Sequence, residues 1–187
     1  LVCRALNRSG IEIRFLANID GSATNHAFRG LDPETTLFVI VSKTFTTLET
    51  LANAEAARIW FLERTCDSAA VIAHFVGVSK NTDGMTKFGI TSANQFTIWD
   101  WVGGRFSLWS SVGITIAIAL GSSEFRKLTS GAAAMDQHFR DAPITKNVPV
   151  ILALLTIWNS NFLGTQTHAV LSYDARLKTF VEFIQQL

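Results

Sequence analysis

The chain has 187 residues, of which 48% are hydrophobic and 17% charged, and its formal net charge is +1. This length and composition allow a sizeable buried core and exclude a disordered chain. The near-neutral charge, with Lys and Arg scattered among Asp and Glu, predicts no nucleic-acid or membrane partner.

Neither the apolar runs nor the cysteines indicate a membrane-bound or disulfide-bonded protein. The longest apolar runs, residues 111–120 and 148–158, are shorter than the roughly 18 residues of a membrane span, and no signal peptide precedes them. Cys3 and Cys66 lack zinc-ligand spacing and are predicted to be reduced thiols in a cytoplasmic protein. The chain starts at Leu1 and not at Met, which suggests a piece of a longer protein.

The first half of the chain predicts alternating strands and helices. Residues 11–19 and 36–41 are rich in β-branched and apolar residues, and the uninterrupted second run is typical of a strand buried on both faces of a parallel sheet. Thr46, with Glu49 three residues later, fits a capping box, so a helix is predicted to begin near Thr46. Further strands are predicted at residues 75–79 and 95–99.

The second half is predicted to be mostly helical. Helix candidates are residues 107–120, 124–139, 148–162 and 175–186, and a last short strand is predicted at residues 168–171. No internal repeat or interdomain linker is found. The predicted fold class is therefore α/β, with a parallel sheet flanked by helices and additional helices in the C-terminal half.

A polar run between the second predicted strand and the following helix is the first candidate site. It consists of Ser42, Lys43, Thr44, Phe45, Thr46 and Thr47. Ligands of open α/β sheets bind at the carboxyl ends of strands, and a helix N-terminus offers free N–H groups to anions. The run lacks the glycines of a Walker loop, so a monophosphate is favoured over a nucleotide. The alternative, in which the hydroxyls cap the helix and Lys43 is a solvated charge, stays open.

The second candidate site is the sequence WDWVGGRFS at residues 99–107. The glycine pair lets the backbone approach a ligand closely, and Arg105 could hold an anion or stabilise negative charge that develops on an oxygen. The alternative is a tight turn in which Arg105 pairs with Asp100, and the motif alone favours this alternative.

The histidines and tryptophans predict no additional site. His26, His74, His138 and His168 are far apart in sequence and match no nucleophile or metal motif. Asp136 lies two residues before His138, so the two side chains would not face each other on a helix. The five tryptophans are interpreted as core and helix-packing residues.

Five segments, in order along the chain, resemble the glucose-6-phosphate isomerase family. They are SKTFTT, WDWVGGRFSLWSSVG, GAAAMDQHF, NVPVILALLTIWNSNFLG, and HAVLSYD with FIQQ. The GGRFSLWS block closely resembles a signature segment of that family. The resemblance implies a sugar isomerase (SIS) domain, with residues 1–187 forming mainly the first such domain and the helices after it. The parent chain is expected to extend beyond both ends.

The resemblance also implies an activity. The family interconverts glucose 6-phosphate and fructose 6-phosphate through a cis-enediol, in glycolysis and gluconeogenesis, without a metal or organic cofactor. It implies a cytoplasmic homodimer with active sites completed across the interface. By resemblance, Ser42, Thr44 and Thr47 contact the substrate phosphate and Lys43, Phe45 and Thr46 share their loop, while Gly104, the enediolate-stabilising Arg105 and Gln186 lie near the rest of the substrate.

Some family features fall outside these residues or differ within them. The catalytic glutamate follows the Gln-Gln segment and is expected beyond Leu187, and the ring-opening histidine is also expected outside, so isolated residues 1–187 are expected to lack isomerase activity. Leu48, Ala133 and Ser172 stand where the family often has Gln, His and Pro, which suggests a divergent member. A non-catalytic sugar-phosphate binding module or an interaction protein remain the alternatives.

Overall fold

The computed structural model describes residues 1–6 and 9–185, and of Arg105 it describes the backbone but not the side chain. The predicted substrate contact Gln186 lies outside the described residues. The chain divides into two compact units, one of residues 12–115 and one of residues 1–11 with 116–187.

The described residues form short strands and helices of very different lengths. In chain order the helices are α1 (Val2–Leu6), α2 (Gly21–Phe28), α3 (Leu48–Thr65), α4 (Val71–His74), α5 (Thr82–Phe88), α6 (Ile114–Leu120), α7 (Ser122–Asp141), α8 (Val148–Asn161) and α9 (Phe180–Gln185). The strands are β1 (Phe38–Val41), β2 (Phe75–Ser79) and β3 (Gln95–Thr97). Among the 3-10 turns are Gly104–Trp109 and Ser111–Gly113.

The strands form one parallel sheet in the order β1-β2-β3. Phe38 pairs with Phe75 at the start of β1 and β2, and Val78 pairs with Phe96 in β3. All five residues of the central strand β2 are buried, as expected for a parallel strand covered on both faces. The predicted α/β fold with a parallel sheet flanked by helices is therefore confirmed.

Alternate residues of β2 face two separate apolar clusters. Phe75 packs on one face with Phe61 of α3 and with Met85 of α5. Val78, on the opposite face, packs with Ile98 and Val102, which follow β3. Both faces of the sheet are therefore filled, and ligands of open α/β sheets bind at the carboxyl ends of the strands.

Gly77 of β2 is the point where α5 comes closest to the sheet. A Cβ added at Gly77 would lie 2.5 Å from Met85 Sδ and 3.0 Å from Ile90 Cδ1. Met85 is 0% and Ile90 1% exposed, so neither side chain has free space into which to move. Gly77→Ala should therefore lower the free energy of unfolding by about 1–3 kcal/mol, measured by urea denaturation.

The same substitution at Gly131 is the matched control. Gly131 lies in α7, and a Cβ there would meet nothing within 4 Å. Gly131→Ala should stabilise its helix by about 0.5–1 kcal/mol. Equal urea midpoints for Gly77→Ala and the unsubstituted chain would contradict the tight fit at β2.

Two predicted strands are wrong. Residues 11–19 and 168–171 form no strand within the part of the chain that the structure describes. Residues 11–19 are mostly exposed, and Arg14 Nη1 donates to the carbonyl oxygens of Ala27 and Arg29, each at 2.7 Å. Asn53 Nδ2 also donates to Asn18 O at 3.1 Å. These contacts of the segment are made through side chains, and its apolar composition did not produce a strand.

Several predicted helices have different bounds. The helix predicted at residues 107–120 starts only at Ile114, because 3-10 turns precede it and the Ser110 hydroxyl accepts the N–H of Val112. The predicted helix at residues 175–186 consists of the 3-10 turn Ala175–Leu177 followed by α9. The helices predicted at residues 124–139 and 148–162 correspond to α7 and α8.

The interpretation of the tryptophans as core residues holds only for Trp60. Trp60 is 9% exposed, but Trp101 is 80% exposed, and Trp99, Trp109 and Trp158 are also exposed. No residue of α7 or α8 is buried. Within the described ranges, α8 and the other helices lack the length or apolar character needed to cross a bilayer. Cys3 is buried, Cys66 is exposed, and both are free thiols.

Candidate functional site

The carboxyl ends of the three strands bring three loops together in the unit of residues 12–115. Residues 42–47 follow β1, residues 80–81 follow β2, and residues 98–104 follow β3. Both sequence motifs singled out above lie in these loops. Parallel strands place the two motifs at one edge of the sheet, although they are more than 50 residues apart in the chain.

Ser42 and Thr47 close the loop after β1. The N–H of Ser42 donates to Val78 O at 3.1 Å, which extends the β1–β2 pairing into the loop. Ser42 Oγ accepts the N–H of Phe45 at 3.1 Å and lies 3.2 Å from Thr47 Oγ1. A second hydroxyl pair, Thr44 Oγ1 and Thr46 Oγ1, lies 2.7 Å apart on the exposed side. The structure thus brings the four predicted hydroxyls into two adjacent pairs.

Phe45 anchors this loop in the core. Its backbone has φ +53°, in the left-handed region, while its ring is 5% exposed and lies edge-on against Phe88 at 6.1 Å. The left-handed conformation costs a non-glycine residue about 1–2 kcal/mol, which the burial of the ring offsets. The ring is directed into the core, so only the backbone of Phe45 is available to a ligand.

Helix α3 begins at the loop without a side-chain cap. The N-cap residue is Thr47, and its side chain makes no capping hydrogen bond. The predicted capping box of Thr46 and Glu49 is wrong, because the Thr46 hydroxyl pairs with Thr44 instead. The first N–H groups of a helix have no intrahelical acceptor, so this end of α3 presents donors to an anion.

Lys43 is not the solvated charge of the alternative interpretation. Its Nζ donates to the carbonyl oxygens of Asp100 at 2.8 Å and Val102 at 2.6 Å. The carbonyl of Lys43 itself accepts from Ser79 Oγ at 3.1 Å and from the N–H of Lys80 at 3.0 Å. Lys43 therefore contacts the loops that follow both β2 and β3.

The segment before the glycine pair is held by charge and by ring stacking. The carboxylate of Asp100 accepts a hydrogen bond from Lys80 Nζ at 2.8 Å. This hydrogen bond, the charge of Lys80 and, more weakly, that of Lys43 hold the pKa of Asp100 below its usual value. Trp99 and Trp101, on either side of Asp100, stack with ring centroids 5.5 Å apart and planes within 7°.

The glycine pair leads directly into the backbone of Arg105. Gly103 is extended, and Gly104 has φ +55°, a conformation that favours glycine. The 3-10 turn Gly104–Trp109 begins here. The Asp100 carboxylate pairs with Lys80, and the Arg105 pairing of the alternative interpretation concerns a side chain outside the described part of the structure.

Sequence reasoning missed the contribution of the loop after β2. Asn81 Nδ2 donates to Thr44 O at 2.9 Å, and Asn81 Oδ1 accepts the N–H of Gly84 to cap α5. Ser79 Oγ also accepts the N–H of Asn81 at 3.1 Å. The signal was present in the sequence, because the polar residues Lys80 and Asn81 directly follow a buried strand, as the loop after β1 does.

Two of the histidines, His74 and His138, have hydrogen-bond partners that lie outside these loops. His74 Nδ1 is 2.8 Å from Thr36 O, and its ring packs on Phe61 with centroids 4.8 Å apart. His138 Nε2 accepts the N–H of Val148 at the start of α8. Among the described residues, no three metal-ligating side chains come together.

Comparison with known proteins gives consistent matches over the whole chain. The family described as phosphoglucose isomerase matches residues 1–187. The chain is 52% identical to the glucose-6-phosphate isomerase of Chlorobium phaeobacteroides, over 95% of this chain and 32% of that protein. It is also 52% identical to that of Roseiflexus castenholzii, over 98% of this chain and 34% of that protein. The chain spans about a third of the length of these curated relatives.

Solved structures are similar over almost all of the chain. A glucose-6-phosphate isomerase from Chlamydia trachomatis superposes with a TM-score of 0.85 at 34% identity, covering 99% of this chain and 35% of that one. A hypothetical protein, TT0462 from Thermus thermophilus, gives a TM-score of 0.83 at 26% identity, covering 99% of this chain and 43% of that one.

Proposed function

Because the chain belongs to the phosphoglucose isomerase family, we propose that its residues form part of the active site of an enzyme that interconverts glucose 6-phosphate and fructose 6-phosphate. The enzyme is proposed to be a cytoplasmic homodimer that acts in glycolysis and gluconeogenesis without a metal or organic cofactor. Residues 1–187 would supply mainly its first sugar isomerase domain and the helices that follow.

The observation that carries this proposal is the hydroxyl-lined loop between β1 and the uncapped start of α3. A phosphate monoester has three terminal oxygens that accept hydrogen bonds and carries negative charge. The Ser42 and Thr47 hydroxyls, 3.2 Å apart, and the exposed Thr44 hydroxyl offer donors at the positive end of an 18-residue helix. This combination favours a phosphate monoester over a carboxylate or a neutral sugar.

The loop after β3 is proposed to act on the other end of the substrate. The backbone at Gly104 would approach the sugar closely, and the Arg105 guanidinium would stabilise the negative charge that develops on the enediolate oxygen. Gln186 is proposed as a further substrate contact. The proton-transferring glutamate is proposed to follow Leu187 in the parent chain, so residues 1–187 alone are proposed to bind the substrate without turning it over.

Thr47→Val should weaken the binding of 5-phosphoarabinonate, a phosphorylated mimic of the enediolate, by about 10–100-fold. One hydrogen bond to a charged group contributes about 1.5–3 kcal/mol, and valine removes the hydroxyl while it keeps the shape. Isothermal titration calorimetry on the 187-residue chain measures the effect, and arabinonate without its phosphate should bind far more weakly to both forms.

The matched control is Thr129→Val in α7, whose hydroxyl donates to Arg126 O of its own helix. It should leave the affinity unchanged. If the unsubstituted chain binds arabinonate as well as 5-phosphoarabinonate, the loop does not recognise phosphate and the proposal is wrong.

A further inference from the structure

We propose that Lys43 is a positioning residue, whose ammonium group ties the loop of residues 42–47 to the segment before Gly103 and thereby fixes the backbone that carries Arg105. This inference rests on the proposed function, because it assigns Arg105 to the sugar end of the substrate. It gives Lys43 a role other than direct contact with the phosphate.

The direction of the Lys43 side chain is the first observation. Its ammonium donates to the carbonyl oxygens of Asp100 and Val102, at 2.8 and 2.6 Å, across 57 and 59 residues of sequence. Two of its three N–H donors are thus used on backbone acceptors. A Cβ added at Gly103 would lie 3.9 Å from the same Nζ, so the ammonium lies beside the first glycine of the pair.

Both ends of the tie are held by other contacts. The backbone of Lys43 is fixed through its carbonyl, which accepts from Ser79 Oγ and the N–H of Lys80. Val102 is 5% exposed, packs with Val78 and Ile98, and donates its N–H to Trp99 O at 3.0 Å. Because both segments are fixed, the Lys43 hydrogen bonds hold the loop of residues 42–47 and the segment before Gly103 at a defined distance from each other.

The glycines explain why such a tie is needed. Gly103 and Gly104 are the residues between Val102 and Arg105, and Gly104 has φ +55°. Glycine has the widest backbone freedom of any residue, so this connection loses much entropy when it is ordered. Lys43 anchors the carbonyls of Asp100 and Val102, immediately before the glycines. The glycine pair therefore loses less conformational entropy when a ligand binds.

Lys80 provides a matched control for charge. Its ammonium lies beside the same segment but bonds to the Asp100 side chain, at 2.8 Å, and not to the backbone. Both partners of this ion pair are largely exposed, with side chains 44% and 83% accessible. Lys80→Met removes one positive charge near the site and leaves the backbone carbonyls with their Lys43 bonds.

The first test needs no ligand. Hydrogen exchange measured by mass spectrometry should show amides of residues 99–104 exchanging about 10-fold faster in Lys43→Met. The Val102 amide, bonded to Trp99 O, is the most informative position. Lys80→Met should change these rates by less than about 3-fold. Equal rates in Lys43→Met and the unsubstituted chain would overturn the proposal.

The second test separates positioning from phosphate contact. Lys43→Met should lower the affinity for 5-phosphoarabinonate by about 10-fold or more. Its affinity for inorganic phosphate should change by no more than about 3-fold. When Arg105→Met is already present, adding Lys43→Met should lower the affinity for 5-phosphoarabinonate by less than about a further 2-fold. If Lys43→Met lowers the affinity for both ligands equally, and its effect adds to that of Arg105→Met, then Lys43 contacts the phosphate directly.

The two tests also distinguish this inference from the proposed function. If the unsubstituted chain binds neither ligand, the proposed function fails and the coupling to Arg105 fails with it. The exchange rates still decide, in that case, whether the tie between the two loops exists. If the ligands bind and the exchange rates do not respond to Lys43→Met, the proposed function stands and the positioning role is wrong.

Discussion

Phe45→Ala should lower the free energy of unfolding by about 3–5 kcal/mol, as measured by urea denaturation. Truncating a buried phenylalanine removes its apolar transfer energy and leaves a cavity. The Phe45 ring is 5% exposed and packs in the cluster that contains Phe75 and Met85. Because this ring also anchors the hydroxyl loop, the variant should lose affinity for 5-phosphoarabinonate even where it is still folded.

Phe45→Gly is the control that isolates the backbone. Glycine normally destabilises relative to alanine, but at φ +53° it avoids the cost of about 1 kcal/mol or more that alanine would bear. We therefore expect Phe45→Gly to be at least as stable as Phe45→Ala. A glycine variant that is clearly less stable than the alanine variant would contradict the left-handed conformation of this residue.

Arg105→Met should weaken the binding of 5-phosphoarabinonate by about 100-fold or more. The carboxylate of this mimic stands in for the charged enediolate, and loss of one donor to a developing oxyanion costs about 10²–10³-fold in rate in other enzymes. A guanidinium bonds such groups in a bidentate manner that methionine cannot replace. Calorimetry with the 187-residue chain gives the affinity directly.

Inorganic phosphate and a second arginine serve as controls for this variant. Phosphate should bind Arg105→Met nearly as well as the unsubstituted chain, because the proposed phosphate loop is separate. Arg126→Met, in α7 of the other compact unit, should change neither affinity. If Arg105→Met lowers the affinity for both ligands equally, the arginine acts on the phosphate. The proposed separation between the phosphate loop and the sugar end of the site is then wrong.

The parts of the fold that the sequence predicted well are those in which burial dominates. The strand predicted at residues 75–79 has the same bounds as β2, and all five of its residues are buried. The helix predicted near Thr46 begins one residue after its N-cap Thr47, where helical apolar spacing starts. In both cases local pattern and tertiary packing favour the same structure.

Where the prediction failed, exposed or short segments were involved. Residues 11–19 carry β-branched residues, yet Arg14 and Asn53 fix them by side-chain hydrogen bonds, and no strand of the described residues pairs with them. The helices α2 and α5 are too short for a periodic pattern, and their signals were the capping residues Asp20 and Asn81. A short segment takes its conformation from such single contacts, which composition does not reveal.

The candidate site was only partly predictable for a different reason. The hydroxyl run was visible because it is contiguous in sequence. The bonds of Lys43 to Asp100 and Val102 were not, since they depend on the parallel order of β1, β2 and β3. The ion pair of Asp100 with Lys80 was not visible either, since it depends on the neighbouring positions of β2 and β3 in the sheet.

The stacked pair of Trp99 and Trp101 gives the protein a built-in optical reporter. The two indoles lie 5.5 Å apart on either side of Asp100, whose carbonyl accepts from Lys43. Two aromatic chromophores at this distance interact electronically, so a small rotation of one relative to the other alters their near-ultraviolet circular dichroism. Movements of the segment that leads to the glycine pair can thus be followed in solution without attaching any label.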